Sequence, residues 1–172
     1  GLPPDNAAAM INGRRSGFCG YSPPEQHLPI TRPDVPVWEL CLTMNDSWVY
    51  QPTDTNYKTA YEIIHIFADV IGSGGNLLLD IAPRADGSIP EEHQQLLKEL
   101  GRWSDANAEA IFDTRPGMPS GLFYGPNTIS ADSLNLYLFL SGRQNSPVMI
   151  KGLNNAIESA TVLESQTMIE PK

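Results

Sequence analysis

The spacing of apolar residues predicts alternating strands and helices between residues 37 and 105. Nearly continuous apolar runs at 37–44 and 76–81 are typical of strands covered on both faces. Between them, apolar residues over 59–71 recur at i, i+3, i+4, i+7, i+8 and i+11, which predicts an amphipathic helix. A second helix follows the second strand. Strands alternating with helices of this length indicate parallel pairing and an α/β fold.

Turn and cap signals predict where these helices begin and end. Gly72 follows the first helix and is predicted to be its C′ residue. The sequence Ser88–Glu91, with Pro90 inside it, is predicted to be a capping box at the start of the second helix. Residues 72–75 (GSGG) come between a helix and a strand. We therefore interpret them as a tight turn and not as a phosphate loop, because phosphate binds at a helix N-terminus.

The pattern changes on both sides of this region. Pro and Gly dominate the first 36 residues, which are predicted to be mostly loop with one strand candidate at 7–11. After residue 116, strand candidates at 135–141, 147–151 and 160–164 are separated by polar turns. These predict a second, antiparallel unit. Its few strands suggest an incomplete β-sandwich.

Charge and composition exclude several classes of function. The 172 residues include 11 Lys and Arg against 20 Asp and Glu, a formal net charge of −9. Such a surface repels phosphate backbones and anionic lipid, so we expect no nucleic-acid partner. No stretch of about 18 apolar residues occurs, so we expect no membrane insertion. The two cysteines, Cys19 and Cys41, either form one disulfide or remain buried thiols.

Carboxylates are the best candidates for chemistry. No motif for nucleotide, zinc-peptidase or serine-hydrolase chemistry is present, and the histidines lack ligand spacing, so we expect no cofactor and no metal. Barrel enzymes place catalytic groups at strand ends and in the loops beyond them. Two carboxylates there can hydrolyse a glycosidic bond, with aromatic rings packing against the sugar. The candidates are Glu25, Glu39, Asp46, Asp80 and Asp86, with Tyr21, Trp38, Trp48 and Tyr50.

Seven short motifs follow one another between residues 8 and 115. They are INGR at 11–14, YSPPE at 21–25, WELC at 38–41, SWVY at 47–50, GGNLLLDIAP at 74–83, DGSIP at 86–90, and GRW at 101–103 followed by AEAIF at 108–112. In this order they resemble the retaining α-L-fucosidases of glycoside hydrolase family 29. Seven motifs in sequence are far more specific than any one of them.

The resemblance implies a fold and a set of site residues. The α/β fold would be the last third of a (β/α)8-type barrel in residues 1–115, followed by the start of an antiparallel β-sandwich in 116–172. The implied activity is hydrolysis of terminal α-L-fucose from fucosylated oligosaccharides or glycoconjugates by double displacement. Glu25 matches the family's general acid/base. Arg14 matches an arginine that contacts fucose, and Trp48 matches the aromatic residue that lines the pocket for the sugar's methyl group.

The nucleophile has no match in this sequence. In the family it is an Asp that follows an aromatic residue on an earlier strand, and Asp5, the only carboxylate before Glu25, lacks that context. We therefore expect the nucleophile outside this chain, with a missing N-terminal part or a second polypeptide completing the barrel. The alternative is a non-catalytic, fucosidase-like glycan-binding module or an inactive fragment. A third hypothesis pairs Glu25 with Asp80 or Glu39 in this chain alone.

Three positions depart from the family pattern. Gly13 replaces an Asp, Val49 replaces a Gly, and Asp80 replaces an Asn. Val49 resists any left-handed backbone that a glycine allows, and Asp80 adds negative charge at a strand end, which would raise the pKa of a neighbouring carboxyl. No signal-peptide pattern opens the sequence. The substrate class implies a secreted, periplasmic or lysosomal location.

Overall fold

The structure is a computed structural model that describes residues 22–142 and 144–171. The strand candidate at 7–11 lies outside these residues. Strands alternate with helices up to residue 106 and a short helix follows. The part from residue 114 onward, called the second half below, contains short strands only. In chain order the elements are β1 (Glu39–Thr43), α1 (Ala60–Gly72), β2 (Asn76–Asp80), α2 (Glu91–Ala106), α3 (Ala108–Ile111), β3 (Thr114–Pro116), β4 (Asn127–Ser130), β5 (Leu136–Leu138), β6 (Ala160–Val162) and β7 (Thr167–Ile169).

The predicted parallel strand–helix–strand unit is confirmed. β1 and β2 pair in parallel, with Glu39 opposite Asn76 and Thr43 opposite Asp80. Burial on both faces was correctly predicted for β1, where every residue after Glu39 is buried. It was wrong for β2, because Leu78 keeps 49% of its surface exposed. The two strands thus differ in burial although their sequences are similarly apolar.

Helix α1 packs its sheet-facing side against β1 and β2. Trp38, Leu40 and Val70 form the buried centre of this contact, and Leu28, Val35, Ile66 and Leu77 surround it. A second side of α1 faces α2, where the rings of Phe67 and Trp103 lie 6.1 Å apart. The apolar positions of α1 therefore divide between a sheet contact and a helix contact. Val70, which the predicted helix face did not include, is fully buried.

Residues 22–26 run beside β1, although the sequence indicated only loop there. The N–H of Ser22 donates to Val37 (3.2 Å) and its carbonyl accepts from Glu39 (2.9 Å); further on, the carbonyl of Pro24 accepts from Cys41 (2.9 Å) and the N–H of Gln26 donates to Cys41 (2.8 Å). The pairing is parallel. The ladder bond between these pairs would require an N–H from Pro24, which proline lacks.

The helix ends differ in part from the predictions. Thr59 caps α1 through a capping box with Glu62. Gly72 belongs to the helix, and the left-handed residue of the following turn is Gly74, with φ +76°. The capping box predicted at Ser88 is wrong: Pro90 occupies the N-cap of α2, and Ser88 instead bonds the carboxylate of Asp86. The glycine-rich turn between α1 and β2 is confirmed.

The second half is antiparallel, as predicted. One sheet has the order β3-β4-β5, and β6 pairs with β7 in a separate hairpin. The strand predicted at 147–151 is wrong, since these residues are irregular. Three strands were not predicted: β3, β4 and β7 are only three or four residues long and carry Thr, Asn or Pro in place of an apolar run.

Replacing Gly75 tests the packing of the turn between α1 and β2. A Cβ atom at Gly75 would lie within 2.7 Å of three ring carbons of Trp38, which is itself buried. We expect Gly75→Ala to lower the free energy of unfolding of the full-length protein by about 1–3 kcal/mol, measured by urea denaturation. Gly101→Ala is the matched control. Its Cβ meets nothing within 4 Å and its position is helical, so it should be neutral or stabilising. Equal effects of the two changes would contradict this packing.

Candidate active site

Glu25 lies beside the middle of β1, in the segment 22–26. Its bridge partner is Cys41, which in turn pairs with Leu78 of β2. Paired residues of parallel strands share a face, so Glu25, Cys41 and Leu78 face away from the side on which Leu40 packs against α1. Glu25 is exposed on this face. The structure therefore puts a carboxylic acid on the sheet face opposite the helix, near the carboxyl end of the segment 22–26.

Trp48 lies in the loop that follows β1 at the same edge of the sheet, and it is 42% exposed. Two side-chain hydrogen bonds hold this loop in shape. The Ser47 hydroxyl donates to Asp54 Oδ2 at 2.6 Å, and Asn56 Nδ2 donates to Asp46 Oδ2 at 2.9 Å. The bond from Ser47 lowers the pKa of Asp54. Trp48 is thus presented on a closed loop, which limits the entropy lost when a ligand contacts the ring.

The loop after β1 contacts the loop after β2. The guanidinium carbon of Arg84 lies 5.3 Å from the centre of the Tyr50 ring. This distance is within the range of a cation–π contact. A hydrogen bond with Tyr50 raises the pKa of Arg84, which therefore stays charged. This contact joins the two loops at the carboxyl edge of the sheet.

Comparisons with known proteins show which family the chain resembles. The family model described as Alpha-L-fucosidase matches residues 5–109, which is more than half of the chain. The chain belongs to the alpha-L-fucosidase family. It is 32% identical to an alpha-L-fucosidase of Dictyostelium discoideum over 73% of the chain and 28% of that protein. It is 35% identical to the human plasma alpha-L-fucosidase over 45% of the chain and 17% of that protein.

A solved relative has the same fold. Alpha-L-fucosidase isoenzyme 1 from Paenibacillus thiaminolyticus superposes with a TM-score of 0.80 at 28% identity, over 88% of this chain and 37% of that one. The chain spans well under half the length of these relatives. Its mixed α/β architecture, with a parallel unit followed by antiparallel strands, is that of the fucosidase structures.

The structure describes some of the predicted site residues and not others. Arg14, Cys19 and Tyr21 lie outside the described residues. Cys41 is a buried free thiol. Within 22–142 and 144–171, no group of three or more His, Cys, Asp or Glu side chains could hold a metal ion. No helix in these ranges is long and apolar enough to cross a membrane.

Asp80, at the end of β2, lies in a partly buried polar cluster with His93 of α2. Its Oδ2 atom is buried and has no protein hydrogen-bond partner among the described residues. Burial raises the pKa of Asp80, an effect that His93 partly offsets. This environment opposes ionisation of Asp80 in the folded protein.

His93 supports the strand end from behind. The side chain is 1% exposed, and its Nδ1 accepts a hydrogen bond from the backbone N–H of Ala82 at 3.4 Å. Burial lowers the pKa of His93. Because Nδ1 accepts from Ala82, the neutral form of the ring carries its proton on Nε2. The ring of Tyr57 meets it edge-on at 5.4 Å.

The charge of Asp80 should destabilise the protein at neutral pH. Because its folded-state pKa is raised, its contribution to stability is full below the usual carboxyl pKa of 3.8 and is lost as pH rises through the folded-state value. We expect Asp80→Asn to raise the Tm of the full-length protein at pH 7, on the order of 2 °C. The gain should shrink towards pH 4. A lower Tm at pH 7, or a gain that does not depend on pH, would contradict this account.

Proposed function

We propose that the protein carrying this chain is a retaining α-L-fucosidase. It would hydrolyse terminal α-L-fucose from fucosylated oligosaccharides or glycoconjugates, with Glu25 as general acid/base and an Asp nucleophile outside this chain. The observation that carries the proposal is the register of Glu25: an exposed carboxylic acid beside Cys41, on the face turned away from α1, within the segment that matches the family. Glu25 also lies near the carboxyl end of its own segment, and barrel enzymes place their catalytic groups at such strand ends.

The proposed architecture is the last third of a (β/α)8-type barrel followed by the start of a β-sandwich. Three parallel segments support the first part: residues 22–26, β1 and β2, with α1 between the two strands. The proposed boundary at 115/116 falls inside β3, whose antiparallel pairing with β4 supports a change of unit at this point. The exposed side chain of Leu78 is consistent with a barrel interior that another part of the protein covers, either an N-terminal part or a second polypeptide.

In the proposed mechanism Glu25 acts twice. It first donates its proton to the oxygen of the departing group while the nucleophile forms a bond to the anomeric carbon. It then removes a proton from the water that hydrolyses this intermediate. Arg14 would hold ring hydroxyls through its planar group of donors. Trp48 would pack against the methyl group of fucose and keep water from it. A secreted, periplasmic or lysosomal location fits such a substrate.

Replacing Glu25 tests the acid/base role. In the full-length protein, Glu25→Ala should lower kcat/KM for an aryl α-L-fucoside with a poor leaving group by about 10²–10⁴-fold. The loss should be much smaller for a dinitrophenyl fucoside, whose leaving group needs no proton. Glu158→Gln, at an exposed position in the second half, is the control.

Two results would overturn the proposal. If wild-type protein binds fucosylated glycans without hydrolysing any fucoside, the chain belongs to a glycan-binding protein. If Glu25→Ala leaves kcat/KM unchanged for the aryl α-L-fucoside with the poor leaving group, another group is the general acid.

Replacing Trp48 tests the sugar pocket. Trp48→Ala should raise KM about 10-fold, corresponding to about 1.4 kcal/mol, because the apolar contact with the sugar methyl is lost. Phe112→Ala removes another exposed ring, 62% accessible and far along the chain, and should leave KM unchanged. Competition by L-galactose, which carries a hydroxyl where fucose has only the methyl group, gives a second measure: the preference for fucose over L-galactose should fall in Trp48→Ala. An unchanged KM and preference would exclude Trp48 from the pocket.

A further inference from the structure

Gln26, directly after Glu25, has a backbone conformation that glutamine rarely adopts. Its φ is +61°, in the left-handed region. The N–H of His27 donates to the carbonyl of Glu25 at 2.7 Å. A hydrogen bond between residues i+2 and i, with positive φ at the residue between them, is the rare and strained form of the γ-turn. Such a backbone conformation is strained and persists only where its surroundings enforce it.

The side chain of Gln26 supplies that enforcement by binding Thr43, the last residue of β1. The backbone N–H of Thr43 donates to Gln26 Oε1 at 3.3 Å, and Gln26 Nε2 donates to Thr43 Oγ1 at 3.0 Å. The single hydroxyl hydrogen of Thr43 then serves the carbonyl of Asn45, its nearest acceptor. The Thr43 N–H, the Thr43 hydroxyl and Gln26 Nε2 thus each donate one of these three bonds. Thr43 is 1% exposed. The amide of Gln26 thus forms a two-point clamp in a site sheltered from water.

The turn changes the direction of the chain at the residue after Glu25. In a regular strand the side chain of Gln26 would share the face of Leu42, on the side that packs against α1. The γ-turn brings it to Thr43 instead. Glu25 is therefore held between two backbone bonds to Cys41, from Pro24 before it and from Gln26 after it, and the clamp locks the second of these. This fixes the backbone from which the Glu25 side chain extends.

We propose that Gln26 is a positioning residue that holds Glu25 in place for proton transfer, through the γ-turn and its clamp on Thr43. The inference rests on the proposed acid/base role of Glu25. Gln26 need not touch the substrate, since it acts on the geometry of the acid. General acid catalysis requires the donor to lie within about 3 Å of the leaving oxygen, and a misplacement of about 1 Å can cost on the order of 100-fold.

The test compares two substrates, because a misplaced acid slows only the one that needs a proton. In the full-length protein, Gln26→Ala should lower kcat/KM by about 10- to 100-fold for an aryl fucoside with a poor leaving group, and by no more than about 2-fold for a dinitrophenyl fucoside. Thr43→Val, which removes the hydroxyl but keeps the shape and backbone N–H, should show the same selective loss to a smaller degree. Thr43→Ser, which keeps the hydroxyl, should keep the wild-type ratio of the kcat/KM values for the two substrates.

A second glutamine provides a matched control. Gln166, in the turn between β6 and β7, also has positive φ (+54°) and a side-chain bond, from its Nε2 to the carbonyl of Leu163. Gln166→Ala removes a comparable local clamp away from Glu25 and should leave the ratio of the two substrates unchanged. If Gln166→Ala alters the ratio as strongly as Gln26→Ala does, or if Gln26→Ala slows both substrates equally, the role of Gln26 is structural and the inference is wrong.

Glu25→Ala, measured in parallel, distinguishes a failure of the positioning role of Gln26 from a failure of the acid/base role of Glu25. A selective loss in Glu25→Ala without one in Gln26→Ala refutes the positioning role alone. No selective loss in Glu25→Ala refutes the acid/base assignment itself. If Gln26→Ala does not fold, Gln26→Asn takes its place, since asparagine tolerates the left-handed region but is one methylene too short to reach Thr43. It should show the same selective loss, and a wild-type ratio would overturn the inference.

Discussion

Four backbone hydrogen bonds between residues 22–26 and the first strand hold the rest of the candidate site in place. They set the register that puts Glu25 opposite Cys41, and through Cys41 opposite Leu78 on the next strand. A slip of one residue would turn the Glu25 side chain towards α1 and bury a carboxylate in the apolar contact around Leu40 and Val70. The cost of burying that charge makes the register unambiguous.

The same register explains why the edge of the sheet is built from polar groups. At the ends of the strands, Thr43 and Asp80 lie opposite each other, with Gln26 bonded to one and His93 beside the other. The loops that start there are tied internally, by Ser47 with Asp54, and to each other, by Tyr50 with Arg84. A catalytic acid and a sugar-binding ring must both be in position before the substrate binds. Rigid strands, followed by loops that side-chain contacts hold in shape, meet this requirement.

The sequence predicted the elements whose patterning is local and strong. The apolar runs of β1 and β2 and the helical spacing of α1 each decide their own structure. The segment 22–26 was missed because Pro23 and Pro24 indicate loop, and only the partner strand shows that a parallel ladder tolerates one absent donor. The short strands β3, β4 and β7 carry too few apolar residues to be detected. Ser88 was misassigned because a nearby carboxylate, Asp86, competes for its bonds.

The candidate site was predicted through its motifs and not through its geometry. The resemblance gave Glu25, Trp48 and Arg14 their proposed roles, but no sequence signal marks the γ-turn, since glutamine is not a residue expected at positive φ.

The most direct test of the acid/base assignment is the product that Glu25→Ala in the full-length protein forms from dinitrophenyl α-L-fucoside in the presence of azide. An azide ion entering through the space of the missing carboxyl displaces the enzyme carboxylate from the anomeric carbon. We expect α-fucosyl azide, with retained configuration. β-Fucosyl azide would mean that Glu25 is the nucleophile, and it would contradict the account.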